Sequence, residues 1–177
     1  MQHNWTRLLL VLVTYCNSGT APLLAQSGQQ PGSNNLAAWN AINKAYTRCD
    51  AAAKARSVEG TLAIDMATYK VVDVRGKVLY ANGPKMVAQY RKTYEGATQV
   101  MQRTTLQKLS LQTGLARATI LQHLELSAID PSINNWRTWV IDWRMEDVWE
   151  QHGGAWKRKT TIMLNQTSAK RIGPISN

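Results

Sequence analysis

Phenylalanine is absent from this chain of 177 residues. Any core must therefore be filled by tryptophan, tyrosine, methionine and the aliphatic side chains. Histidine is scarce, and neither His123 nor His152 has a partner at metal-ligand spacing, so the sequence points to no metal. No Gly-rich phosphate loop is present, and nothing else in the sequence implies a cofactor. Cysteine is limited to Cys16 and Cys49. Acids are few: 11 Asp and Glu stand against 21 Lys and Arg, a net charge of +10. The apolar run Leu8 to Tyr15 is too short to span a bilayer.

That run follows a short segment with one basic residue and precedes "PLLAQS", the pattern of a secretory signal peptide at residues 1–25, cut after Ala25. A cut after Ala21 would place Pro22 beside the scissile bond. An uncleaved membrane anchor is the alternative reading. Export makes the chain secreted or periplasmic. Loss of Arg7 would lower the net charge to +9. Loss of Cys16 would leave Cys49 alone, which excludes an internal disulfide. Cys49 then reads as a small buried hydrophobe on a helix. The positive charge is scattered from Lys44 to Arg171. In the densest run, Lys157-Arg158-Lys159, a strand would split the side chains between two faces. No nucleic-acid partner is expected.

Residues 26–35 form a polar linker. The spacing of Trp39, Ile42, Tyr46, Cys49 and Ala53 predicts a helix from about Leu36 to Arg56. A short second helix is expected within Ser57 to Ala67, weakened by Gly60. Tyr69 to Val74 reads as a strand, pairing across the Arg75-Gly76-Lys77 turn with Val78 to Tyr80. Pro84 opens a helix through about Glu95. Four long strands follow: Thr98–Leu111 with a bulge, Leu115–Leu126, Trp136–Gln151 and Ala155–Leu164. The domain is bounded at 36–165, with 166–177 as a frayed tail. Helices followed by strands predict an α+β fold, with a curved antiparallel sheet wrapped around the long N-terminal helix.

The strand "WRTWVIDWRMEDVWEQH" alternates Trp139, Ile141, Trp143, Met145, Asp147 and Trp149 on one face. One carboxylate sits in an otherwise large and apolar series. "MEDVWEQHGGAWKRKT" resembles the final hairpin of the nuclear transport factor 2-like superfamily, in particular its SnoaL-like branch. "VVDVRGKVLYANGPKMVAQYRKTYE" resembles that group's strand, Gly turn and helix. The resemblance covers Leu36 to Leu164 and implies a cone-shaped α+β barrel whose concave sheet face lines a pocket. An acid on that face would be a pocket group, its pKa raised by desolvation.

Within that superfamily, the ketosteroid isomerases imply roles for three residues: Asp73 as a proton-transfer base, with Tyr46 and a neutral Asp147 as oxyanion donors. Val74 departs from the proline expected after Asp73. Structural roles stand beside these. Asp147 could accept from Arg144 or Lys157, Tyr46 could be a core tyrosine, Asp73 could serve the turn beside Arg75, and the tryptophans could be core. His123 lies on the polar strand face and His152 in a turn, so neither is expected to be a pocket base. The expected ligand contacts are Trp39, Tyr69, Tyr90, Trp139, Trp143, Met145 and Trp149. The first functional expectation is an exported domain binding an apolar or carbonyl-bearing small molecule. The others are a cofactor-free isomerase, cyclase or dehydratase, and an association module forming a homodimer through the sheet face.

Overall fold

A computed structural model describes residues 33–130 and 134–173. The expected signal peptide and most of the linker lie outside the described residues.

Helix α1 spans Ser33–Lys54. Its apolar stripe buries Ile42, Tyr46, Cys49 and Ala53, while Trp39 is half-buried. Lys54 in the last turn complements the helix dipole. Arg56 then adopts a left-handed backbone (φ 57). Ser57 caps α2, Val58–Leu62, by accepting from the Gly60 amide at 3.1 Å. A Cβ on Gly60 would meet the Ala52 Cβ at 2.7 Å, so glycine permits the close approach of the two helices. The second helix is shorter than expected because strand β1 starts early, at Asp65, and runs to Asp73. β2, Val78–Ala81, pairs back antiparallel. Pro84 opens α3, Pro84–Gly96. No described helix is long and apolar enough to cross a membrane.

The meander follows: β3 (Gln99–Gln112), β4 (Leu115–Asp130), β5 (Asn135–His152) and β6 (Ala155–Ile172). Gly153 and Gly154 both have positive φ (58 and 80), as a two-residue hairpin between long strands requires. The expected bulge in β3 falls between Leu106 and Lys108. The strand order is β2-β1-β6-β5-β4-β3, with β1 parallel to β6 and every other pair antiparallel. The sheet curves over α1, which packs chiefly on β3, and leaves β2 and β3 as edges. The α+β architecture is the one expected.

Residues 166–172 are not a tail. They continue β6 and pair with the first half of β5, from Arg144↔Asn165 to Arg137↔Ile172. Their polarity concealed this, because the pairing satisfies β5 backbone groups and needs no apolar period in the side chains. The core has two parts. One joins α1 to β3–β6 around Ile42, Tyr46, Ile120, Ile141 and Trp149. The other joins the end of α1 to α3 around Ala53, Tyr94, Leu126 and Trp139.

Ending the chain after Leu164 should therefore lower the thermal midpoint by more than about 5 °C relative to a chain ending after Gly173, a loss of about 2 kcal/mol. Coincident melting curves would show that the extension of β6 contributes nothing.

Candidate functional site

Asp147 is wholly buried and accepts hydrogen bonds on both oxygens. The Tyr46 hydroxyl donates to Oδ2 at 2.6 Å and the Thr161 hydroxyl donates to Oδ1. These contacts orient two further donors. Trp149 Nε1 donates to the Tyr46 oxygen at 3.0 Å. Because Thr161 gives its proton to Asp147, the Tyr69 hydroxyl must donate to Thr161, at 2.9 Å. Burial raises the pKa of Tyr46 well above the ordinary phenol value, helped by the neighbouring Asp147. It raises that of Tyr69 too.

Arg158 completes the cluster. Its Nε donates to Asp65 Oδ1 at 2.7 Å, and its Nη1 lies 3.5 Å from Asp147 Oδ2. The guanidinium also sits 4.7 Å from the centre of the Tyr69 ring, a cation–π distance. Although burial works against its charge, the facing acids Asp65 and Asp147 and the nearby Tyr69 hold its pKa well above the usual value. Burial pushes the Asp65 carboxyl up, opposed by Arg158. Asp65 Oδ2 is buried without a hydrogen-bond partner among the described residues.

The geometry has a local cause. β5 and β6 pair Asp147↔Thr161 and Val148↔Thr160, then Trp149↔Arg158. Lys159 is skipped. This bulge turns Arg158 onto the inner face, beside Thr161, while Lys159 reaches Glu150 at 2.7 Å. β1 then sets Asp65 directly opposite Arg158 in the parallel ladder.

A cavity of about 730 Å³ lies between the sheet and α3. Of the expected ligand contacts, Tyr69, Tyr90, Trp143 and Met145 line it. Trp39, Trp139 and Trp149 do not. Trp149 is fully buried in the first core against the Tyr46 ring (centroids 5.2 Å apart), Trp39 packs on the same core, and Trp139 belongs to the second. Absence of phenylalanine leaves these tryptophans as core fillers. Tyr46 and Asp147 also stand behind the wall, which Thr161 and Arg158 form in front of them. There the Asp147 oxygens face the Tyr46 and Thr161 hydroxyls rather than the cavity. The oxyanion arrangement of Tyr46 and Asp147 is not built into the cavity.

Asp73 does line the cavity. Its Oδ1 accepts from the amides of Arg75 and Lys77, each at 2.9 Å, which fixes the turn. The sequence reading missed Arg158, Thr161, Tyr80 and Tyr94, all of which line the cavity. Alternation could have flagged Thr161, but the bulge hides Arg158. Cys49 also faces the cavity, its thiol bonded to the Thr61 carbonyl at 3.4 Å and pushed up to about 11 by burial. His123 lies on the outer face between Asp142 (2.7 Å) and Glu125 (3.1 Å). Burial lowers its pKa, but the hydrogen bonds to the two acids outweigh that and raise it overall.

No protein-family model and no curated protein matches the sequence. Solved structures do match in shape. A conserved protein from Planctomyces limnophilus gives a TM-score of 0.59 at 10% identity, over 72% of this chain and 94% of that one. A hexachlorocyclohexane dehydrochlorinase from Novosphingobium barchaimii gives 0.54 at 14%, over 80% and 97%. A scytalone dehydratase-like protein from Novosphingobium aromaticivorans gives 0.54 at 16%, over 81% and 96%. The likeness is one of fold, and that fold is the α+β cone that the nuclear transport factor 2-like resemblance implied. At these identities the likeness carries that architecture and not the chemistry of the neighbours.

Two outcomes follow. Tyr46→Phe strands the Trp149 donor and removes one donor to Asp147, so it should destabilise by about 1–3 kcal/mol in urea unfolding while leaving ligand affinity in the cavity unchanged. A loss of affinity without loss of stability would return Tyr46 to the binding site. For His123, the folded pKa is raised, so its stabilising contribution is full below about pH 6.5 and is lost as pH rises through the folded value. NMR titration of the His123 ring should show a raised midpoint that falls in Asp142→Asn. An unmoved midpoint would remove Asp142 as the cause.

Proposed function

We propose that this domain binds a small, largely apolar molecule inside the cavity between the sheet and α3. The observation that carries the reading is the cavity itself. Its volume of about 730 Å³ falls in the range of ~300–1,000 Å³ typical of ligand sites. Trp143 and Met145 supply a flat apolar wall from β5, and Tyr90 and Met86 supply another from α3. Aromatic rings on both sides favour a planar ligand.

Proton-transfer catalysis is the second reading, and one observation favours it. Asp73 is a carboxylate on the cavity wall, held in place by two backbone amides through one oxygen. Such a fixed carboxylate could serve as a base toward a bound ligand. Among the described residues no histidine lines the cavity, and the resemblance-based oxyanion donors lie behind its wall. Simple binding therefore accounts for more of the geometry.

The test is a thermal-shift panel of flat apolar ketones and phenols, run on the wild-type chain and on Leu124→Trp, which places an indole in the cavity. A ligand at about a hundred times its Kd stabilises by about 2.7 kcal/mol, a rise of about 5–10 °C. The rise should vanish in Leu124→Trp, whose own midpoint should hold or increase. If no compound shifts the wild type while Leu124→Trp gains stability, the cavity is a packing void and the binding reading fails. If a bound compound is turned over, Asp73→Asn should abolish turnover and keep affinity, because asparagine still accepts the two turn amides.

A further inference from the structure

We infer that the Arg158 end of the cavity is a subsite for a neutral hydrogen-bond acceptor, a ketone, ester or ether oxygen, and that it rejects carboxylates. The inference rests on the cavity reading and adds the polarity of the ligand to it.

The donors decide the first half. On the sheet wall, most side-chain protons are already committed within the protein. Thr161 gives its proton to Asp147, and Tyr69 gives its own to Thr161. Trp143 Nε1 donates to Gln166 at 3.0 Å, and Gln122 donates to Thr104 at 3.1 Å. Arg158 differs. Its Nε serves Asp65 and its Nη1 faces Asp147, but Nη2 has no partner among the described residues. The side chain lines the cavity and keeps 8% exposure, so that nitrogen is open to it. Across the cavity, the Tyr90 hydroxyl makes no hydrogen bond within the described residues either; its ring rests edge-on against Tyr94, centroids 5.8 Å apart. Tyr90 lies within electrostatic reach of Arg158 and Tyr69. A guanidinium N–H can only donate, so the group that satisfies it is an acceptor, and the phenol on the facing wall is a second uncommitted donor for such a ligand.

The charges decide the second half. A lone arginine in a cavity would attract an anion. Here Asp65 and Asp147 already flank the guanidinium. If both are ionised the cluster is net negative, and among the described residues no hydrogen bond offsets the buried Asp65 Oδ2. If Asp65 is protonated the cluster is neutral. In neither state does this cluster have positive charge to spare, and the other cations on the wall, Arg75 and Lys77, stand with the Asp73 carboxylate in the β1–β2 turn. A carboxylate entering beside Arg158 would be stripped of water. A neutral oxygen pays only a small desolvation penalty and gains a charge-assisted hydrogen bond.

Three isosteric probes test this on the full 177-residue chain by titration calorimetry at neutral pH: 2-acetylnaphthalene, 2-naphthoate and 2-ethylnaphthalene. Arg158 itself is too deeply built in to replace, so the variant is Tyr90→Phe, which deletes only a hydroxyl without a partner. The ketone should bind about tenfold or more tighter than either of the others. Tyr90→Phe should erode the ketone's advantage several-fold, leave the ethyl compound unchanged and keep the thermal midpoint. Naphthoate binding as tightly as the ketone would overturn the exclusion of anions. Equal binding of ketone and ethyl compound, or a ketone advantage untouched in Tyr90→Phe, would overturn the subsite while leaving the cavity reading intact. Absence of binding by all three would remove both.

Discussion

The ion cluster of Asp65, Arg158 and Asp147 is the constraint on which the rest of this structure depends. Taking a guanidinium and two carboxylates out of water costs several kcal/mol per ion, which only tight geometry repays. Three elements must agree for that geometry to exist. β1 brings Asp65 opposite Arg158, β5 brings Asp147, and the bulge at Lys159 turns Arg158 inward. An error of one residue in the β5–β6 register would put a lysine in the core and leave Asp147 facing no cation. The cluster therefore fixes the register of the sheet at its centre, and through Tyr46 and Trp149 it fixes the position of α1 as well.

Because Asp147 accepts, every donor around it points one way. Trp149 donates to Tyr46, Tyr69 to Thr161, and both of those to the carboxylate. The cavity wall thereby loses its side-chain hydroxyl protons to the protein interior. What remains on the cavity side next to Thr161 is a guanidinium edge and the apolar faces of Trp143 and Met145, opposite the side chains of α3. The chemistry that looks catalytic in the sequence, an acid and a tyrosine on facing elements, is used here to hold the fold together. The space beside it is left for a ligand because α1 packs toward β3 and does not fill the volume under β1 and α3.

Much of the architecture was legible in the sequence. The α1 stripe, the Pro84 helix start, the Gly153-Gly154 hairpin and the bulge near the middle of β3 each follow from a local pattern with a physical cause. The site was legible only in part. Tyr69, Tyr90, Trp143 and Met145 were expected at the pocket and line the cavity. Trp39, Trp139 and Trp149 were expected with them, but alternation along a strand gives the face of a residue and not whether a core or a cavity lies against that face. The polar stretch from Asn165 to Ile172 reads as a tail because its side chains carry no apolar period, yet its backbone pairs along half of β5.

The sequence by itself determined the element order, the class of fold and the burial of one acid among aromatic residues on β5, because these depend on periodicity and turn chemistry within short windows. Tertiary structure alone decided what that acid does. The partners of Asp147 come from residues 14 and 101 positions away, and its cation enters through a bulge that reverses the parity of a strand. No local pattern encodes a register shift, since the same lysine–arginine–lysine run could present either parity until the neighbouring strands select one.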